Sequence, residues 1–153
     1  DGQYWPIRPL ATCTVWLAVD DANEENGCLK FIRGSHRDKN LKQHEFNEDK
    51  NLTLHQELLK SEFNEKESVN LILKRGQISL HDVYLVHGSD ANLSSKSRRG
   101  MTMRFMPTTS VFDHNLAKEK YNNLNVSKYS NRKIYLARGY DKSKRNNLEV
   151  VNF

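Results

Sequence analysis

Residues Gly76 to Phe105 read GQISLHDVYLVHGSDANLSSKSRRGMTMRF, and the alternation within them decides the fold. Ile78 and Leu80 share one side of an extended run, while Ser79 and His81 share the other. After a turn at Asp82–Val83, Leu85, His87 and Ser89 have one parity, so His87 and Ser89 should project from the same sheet face. A third run, Arg98 to Met106, divides the same way. Met101, Met103 and Phe105 make an apolar face; Arg98, Thr102 and Arg104 make a polar one. A sheet with one apolar face and one face of His, Ser, Thr and Arg lines a pocket on its polar side.

The pattern continues outward from this stretch. Thr12 to Val19 alternates Cys13, Val15, Leu17 and Val19 against Thr12, Thr14, Trp16 and Ala18. Asp20 to Gly27 is turn-rich, with Asn26-Gly27 favouring a tight reversal into a strand over Cys28 to Ile32. Val69, Leu71 and Leu73 make another strand, and Lys133 to Arg138 a short last one. Pro6 and Pro9 keep residues 1–9 irregular. Residues 37–67 are polar and charge-rich, with one helix-like patch from Leu54 to Phe63; such an insertion suits a lid or substrate contacts. A second short helix is expected at Ala117 to Tyr121. Short alternating strands with few helices predict an all-β fold. The form expected is a double-stranded β-helix, a cupin-like jelly roll of two antiparallel sheets.

Particular residues also carry a resemblance. His87-Gly88-Ser89 ends a strand, and Arg98 follows eleven residues after the His. The chain opens DGQYWPIRP, and Gly34-Ser35-His36 resembles a Pro-Gly-Ser-His turn with Arg33 in place of the Pro. In this order and spacing the elements resemble the phytanoyl-CoA dioxygenase family of iron(II)- and 2-oxoglutarate-dependent oxygenases. The likeness is densest at residues 1–36, 74–107 and 133–146. It implies that Asp1 is the carboxylate of an H-x-D motif and that His87 is a second protein ligand to Fe(II). It further implies that Arg98 and Ser89 bind the far carboxylate of 2-oxoglutarate, with Trp16 and Thr14 beside the cosubstrate. The motif's first His would stand two residues before Asp1. Residues 1–153 are therefore expected to be a single, partial oxygenase domain whose upstream part is absent, and to be inactive alone. Without that part the Cys13, Val15 and Leu17 face is expected to be exposed and the chain poorly soluble.

The chemistry suits these residue types. Two imidazoles and a carboxylate on one face of iron(II) leave room for a chelating 2-oxoglutarate and O2. A buried dicarboxylate needs a permanently charged anchor, and the planar fork of Arg provides bidentate hydrogen bonds. Parity turns Arg98 inward and the adjacent Arg99 outward. Arg104 shares the inward parity; it either meets a negative group on the substrate or pairs with an acid as structure. Tyr4 and Trp5 either wall the substrate pocket or pack beneath the loop. His81 reads as a supporting group and His36 as a turn residue.

Composition sets outer limits. No apolar run approaches the ~20 residues that span a bilayer, and no targeting segment is visible, so a cytoplasmic location is expected. Cys13 and Cys28 do not make a disulfide framework and are expected to be reduced and buried. The formal charge is +5, and from His114 onward nine Lys and Arg face Glu119, Asp141 and Glu149, a local balance of +6. These charges are interspersed with Tyr, Asn and Leu and form no nucleic-acid motif, so no nucleic-acid or membrane partner is expected. They suit a solvated surface, or attraction of an anionic substrate such as an acyl thioester. The function expected is hydroxylation of a small-molecule or acyl substrate with release of succinate and CO2. The competing reading is a non-catalytic jelly-roll binding module, or an inactive fragment, that no longer holds iron.

Overall fold

The computed structural model describes residues 2–49, 55–124 and 128–150. In chain order the strands are β1 (Ile7–Arg8), β2 (Cys13–Ala18), β3 (Leu29–Ile32), β4 (His44–Phe46), β5 (Gln56–Leu58) and β6 (Ser68–Leu71). They continue with β7 (Ile78–Asp82), β8 (His87–Ser89), β9 (Gly100–Phe105), β10 (Val111–Phe112), β11 (Ile134–Tyr135) and β12 (Leu148–Glu149). One α-helix, α1, spans His114–Leu124.

Two three-stranded antiparallel sheets form the body, ordered β7-β2-β9 and β6-β3-β8. They belong to a jelly roll and pack face to face. Trp16 and Ala18 from the first sheet meet Cys28 and Leu29 from the second, with Ala22 and Leu73 closing the cluster. A second apolar cluster, Tyr4, Trp5, Ile7, Val83, Phe112 and Ala117, seats residues 4–7 and α1 beside one end of the strands. Lys120 of α1 donates its Nζ to the carbonyl of Gln3 in support.

The alternation maps onto two faces as expected. On the first sheet Thr14, Trp16 and His81 are buried, at 4%, 6% and 8% exposure. Ile78, Leu80, Met101, Met103 and Phe105 lie on the outer face, 37–64% exposed. Polar groups thus face inward and large apolar groups outward, the reverse of an ordinary one-sided sheet.

Several local expectations are corrected. The helix-like patch at 54–63 is instead β5, hairpin-paired with β4, followed by a single 3-10 turn at Lys60–Glu62; Leu54 lies outside the described residues. Between the two prolines, Ile7 and Arg8 pair with Phe112 and Val111, so this segment is not wholly irregular. Strand β9 begins at Gly100, two residues after the expected Arg98. The pairing of β11 with β12 is parallel, unlike every other strand pairing among the described residues. Both cysteines are free thiols, but Cys13 is exposed on the outer face and only Cys28 is buried. No described helix is long and apolar enough to cross a membrane.

Gly100 has a packing reason. A Cβ there would overlap the indole of Trp16, which lies directly over this position. Gly100→Ala is therefore expected to displace the indole and cost about 1–3 kcal/mol, as overpacking does. A drop in the urea midpoint at constant slope would show it.

Candidate active site

The ladder register assembles the inward face. Thr14 stands between His81 and Arg104, and Trp16 between Ser79 and Thr102. On the opposite sheet Phe31 pairs with His87, and Leu29 with Ser89. The two sheets meet through rings: His81 and His87 have centroids 5.3 Å apart, with Phe31 5.2 Å from His81 and 6.0 Å from His87.

His87 is oriented by its own backbone. Its Nδ1 lies 2.8 Å from the carbonyl oxygen of Leu85, which can only accept, so Nδ1 carries the proton. The lone pair then sits on Nε2, the tautomer that a metal-ligating histidine needs. Burial holds the His87 imidazole below its ordinary pKa and pushes His81 down to about 4. Both rings are neutral at neutral pH. Asp1, the other expected ligand, lies outside the described residues. Among the described residues no group of three or more His, Cys, Asp or Glu side chains is placed to hold a metal ion. Those residues therefore supply one imidazole, His87, in the tautomer a metal ligand needs, and do not by themselves make a complete donor set.

Arg98 lies on the connection from β8 to β9. Its Nη2 donates to Ser89 Oγ at a long 3.4 Å, while its Nε is buried with no hydrogen-bond partner among the described residues. A buried guanidinium N–H without an acceptor is costly, and a carboxylate is the acceptor its geometry matches. Trp16, packed in the core cluster and over Gly100, stands next to this connection.

Arg104 has a different setting. Its guanidinium lies 4.3 Å above the ring of Trp5, whose other close neighbour, Tyr129, is stacked at 4.8 Å. Arg132 covers the same pair at 5.7 and 4.9 Å. Tyr4, buried beside them, has its phenol pushed up to about 12 by burial. Tyr4, Trp5 and Arg104 are thus brought together, and each is also tied into the packing. Tyr129 and Arg132 complete the cluster and were not singled out from sequence; no local periodicity marks them, because only the fold returns residues 129–132 to residue 5. His36 sits in the expected turn, where Ser35 Oγ accepts the amide N–H of Val86 at 2.8 Å. A cleft of about 450 Å³ is bordered by Ser35, Lys42, Glu62, Phe63 and Val86.

The chain is similar to known proteins in sequence and in fold. The family profile described as phytanoyl-CoA dioxygenase matches residues 1–100. A phytanoyl-CoA dioxygenase domain-containing protein 1 homolog from Caenorhabditis briggsae is 33% identical over 112 residues, covering 69% of this chain and 38% of the relative. Among solved structures, the non-heme monooxygenase ThoJ in its Ni complex superposes with a TM-score of 0.59 at 19% identity, covering 98% of this chain and 46% of that one. The epimerase SnoN, solved with Fe3+, alpha ketoglutarate and nogalamycin RO, gives a TM-score of 0.54 at 22% identity over 73% of this chain and 42% of that one. At such identities the structural likeness speaks to fold. The chain spans less than half the length of these relatives. The profile match over residues 1–100, joined to the two-sheet barrel and its His-Gly-Ser strand, is the ground for one conclusion: the chain belongs to the phytanoyl-CoA dioxygenase family.

Proposed function

We propose that residues 1–153 are part of an Fe(II)- and 2-oxoglutarate-dependent dioxygenase domain that hydroxylates a small-molecule or acyl substrate. In this reading Asp1 and His87 Nε2 are protein ligands to the iron, and Arg98 with Ser89 anchors the far carboxylate of 2-oxoglutarate. Bound iron and 2-oxoglutarate would supply the oxidising chemistry: one oxygen atom of O2 enters a C–H bond, the other enters succinate, and CO2 is released. The chain's own contribution is placement. Leu85 fixes the His87 tautomer, the inward sheet face excludes bulk water, and Trp16 and Thr14 wall the cosubstrate. Arg104, with Tyr4 and Trp5, offers a cationic and aromatic wall to an anionic substrate group.

The observation that supports this reading most is the buried, unsatisfied Nε of Arg98 beside Ser89. In the full-length protein, Arg98→Ala is expected to raise the 2-oxoglutarate requirement about 10- to 100-fold, while substrate binding moves far less. Arg98→Lys should also be poor, because an ammonium cannot reproduce the fork. An unchanged cosubstrate requirement in either variant rules Arg98 out as the anchor.

A further inference from the structure

Two adjacent arginines precede β9, and one of them faces the barrel. Arg98 and Arg99 both lie before Gly100, where regular pairing begins. What fixes them is the end of β2 and the loop after it. The carboxylate of Asp20 receives three hydrogen bonds from Arg99: the backbone N–H at 2.9 Å, Nε at 2.8 Å and Nη2 at 2.8 Å. The Arg99 carbonyl in turn accepts from the amide of Val19 at 3.0 Å. Main chain and side chain of Arg99 are therefore both held on the outside, and its neighbour is turned inward.

The rest of the 20–27 loop grips the same connection. Asn26, buried, caps Asn23 by reciprocal bonds of 2.8 and 3.1 Å and reaches the carbonyl of Ser97 with its Nδ2 at 3.4 Å. Leu93 donates its amide to Glu25 O at 3.1 Å. Gly27, at φ +71°, lets the loop backbone approach Asp90 and Ala91 more closely than any side chain would permit. Together these contacts splint the path from Ser89 to Arg98.

We infer that Asp20 is a positioning residue for 2-oxoglutarate: by capturing Arg99 outside the barrel it selects Arg98 as the arginine that faces the cosubstrate. The inference rests on the reading of Arg98 given under Proposed function. The Arg99 side chain is 71% exposed and that of Asp20 22%, so the pair is screened on the arginine side and loss of the clamp should be felt more at the site than in the melting point.

The test is calorimetric titration of 2-oxoglutarate into the Mn(II)-loaded full-length protein without O2, which reads binding and not turnover. Asp20→Ala is expected to raise the 2-oxoglutarate Kd about tenfold while Mn(II) affinity is kept and Tm falls by no more than about 4 °C. Asp20→Asn, which keeps an acceptor for the Arg99 amide but not the charged fork, should fall between. Arg98→Ala is the reference. If it weakens 2-oxoglutarate while Asp20→Ala leaves the Kd unchanged, the positioning role is overturned and the anchor stands. If Arg98→Ala itself leaves the Kd unchanged, the anchor is overturned and the positioning role goes with it. A parallel loss of Mn(II) affinity and melting point in Asp20→Ala would make its role merely structural and also overturn the inference.

Discussion

In the full-length protein, His87→Ala is expected to abolish iron-dependent succinate release and to weaken Fe(II) binding by more than the roughly 10- to 100-fold that loss of a metal ligand's outer partner costs. The residue is the point where the second sheet meets the interior, its ring set against Phe31 and His81 and its Nδ1–H committed to Leu85 O. That leaves Nε2 as the nitrogen able to donate to a metal, and alanine removes it without a substitute. His81 is the natural control. It is buried and its ring is 5.3 Å away, yet it reads as a supporting group. His81→Ala should lower metal affinity far less. Iron titration of the two variants, with far-ultraviolet circular dichroism to confirm the fold, separates them. Equal losses would show that the assignment of a single imidazole from this pair is wrong.

The second large effect concerns the start of the motif. A histidine placed two residues before Asp1, in an extension ending His-x, is expected to tighten Fe(II) binding by more than about 100-fold over residues 1–153 alone and to make succinate release measurable. One imidazole and one carboxylate cannot fix the facial geometry that three ligands impose, and metal affinity follows ligand number steeply. Replacing that histidine with alanine in the extended chain should return both quantities to the starting level. Equal affinity and turnover with and without it would show that it is not a ligand.

The strands that carry the site were legible because their periodicity is local. Thr14, Trp16, His81 and Arg104 share a face through simple alternation, and the register of β2 with β7 and β9 aligns them. The His-Gly-Ser strand and the spacing to Arg98 gave the family. The 54–63 segment misled because its apolar residues fall at near-helical intervals, whereas the hairpin of β4 with β5 satisfies the backbone there instead. What sequence could not show is non-local. Tyr129 stacks on Trp5 from 124 positions away, and Asp20 reaches Arg99 across 79. Parity predicted which way Arg98 and Arg99 point, but not that their facing is held by a carboxylate at the end of another strand. β9 starts at Gly100, two residues later than the alternation suggested, with Arg99 held just before it by Asp20.

In the proposed function Asp1, His87 and Arg98 converge on one iron and one 2-oxoglutarate. The most direct measurement is a crystal structure of the protein with Mn(II) and 2-oxoglutarate bound under anaerobic conditions. The expected result is a single ion ligated by the Asp1 carboxylate and His87 Nε2, with the far carboxylate of 2-oxoglutarate held by the Arg98 fork and Ser89 Oγ. An ion bound away from His87, or a cosubstrate whose far carboxylate lies on Arg104 instead, would contradict it.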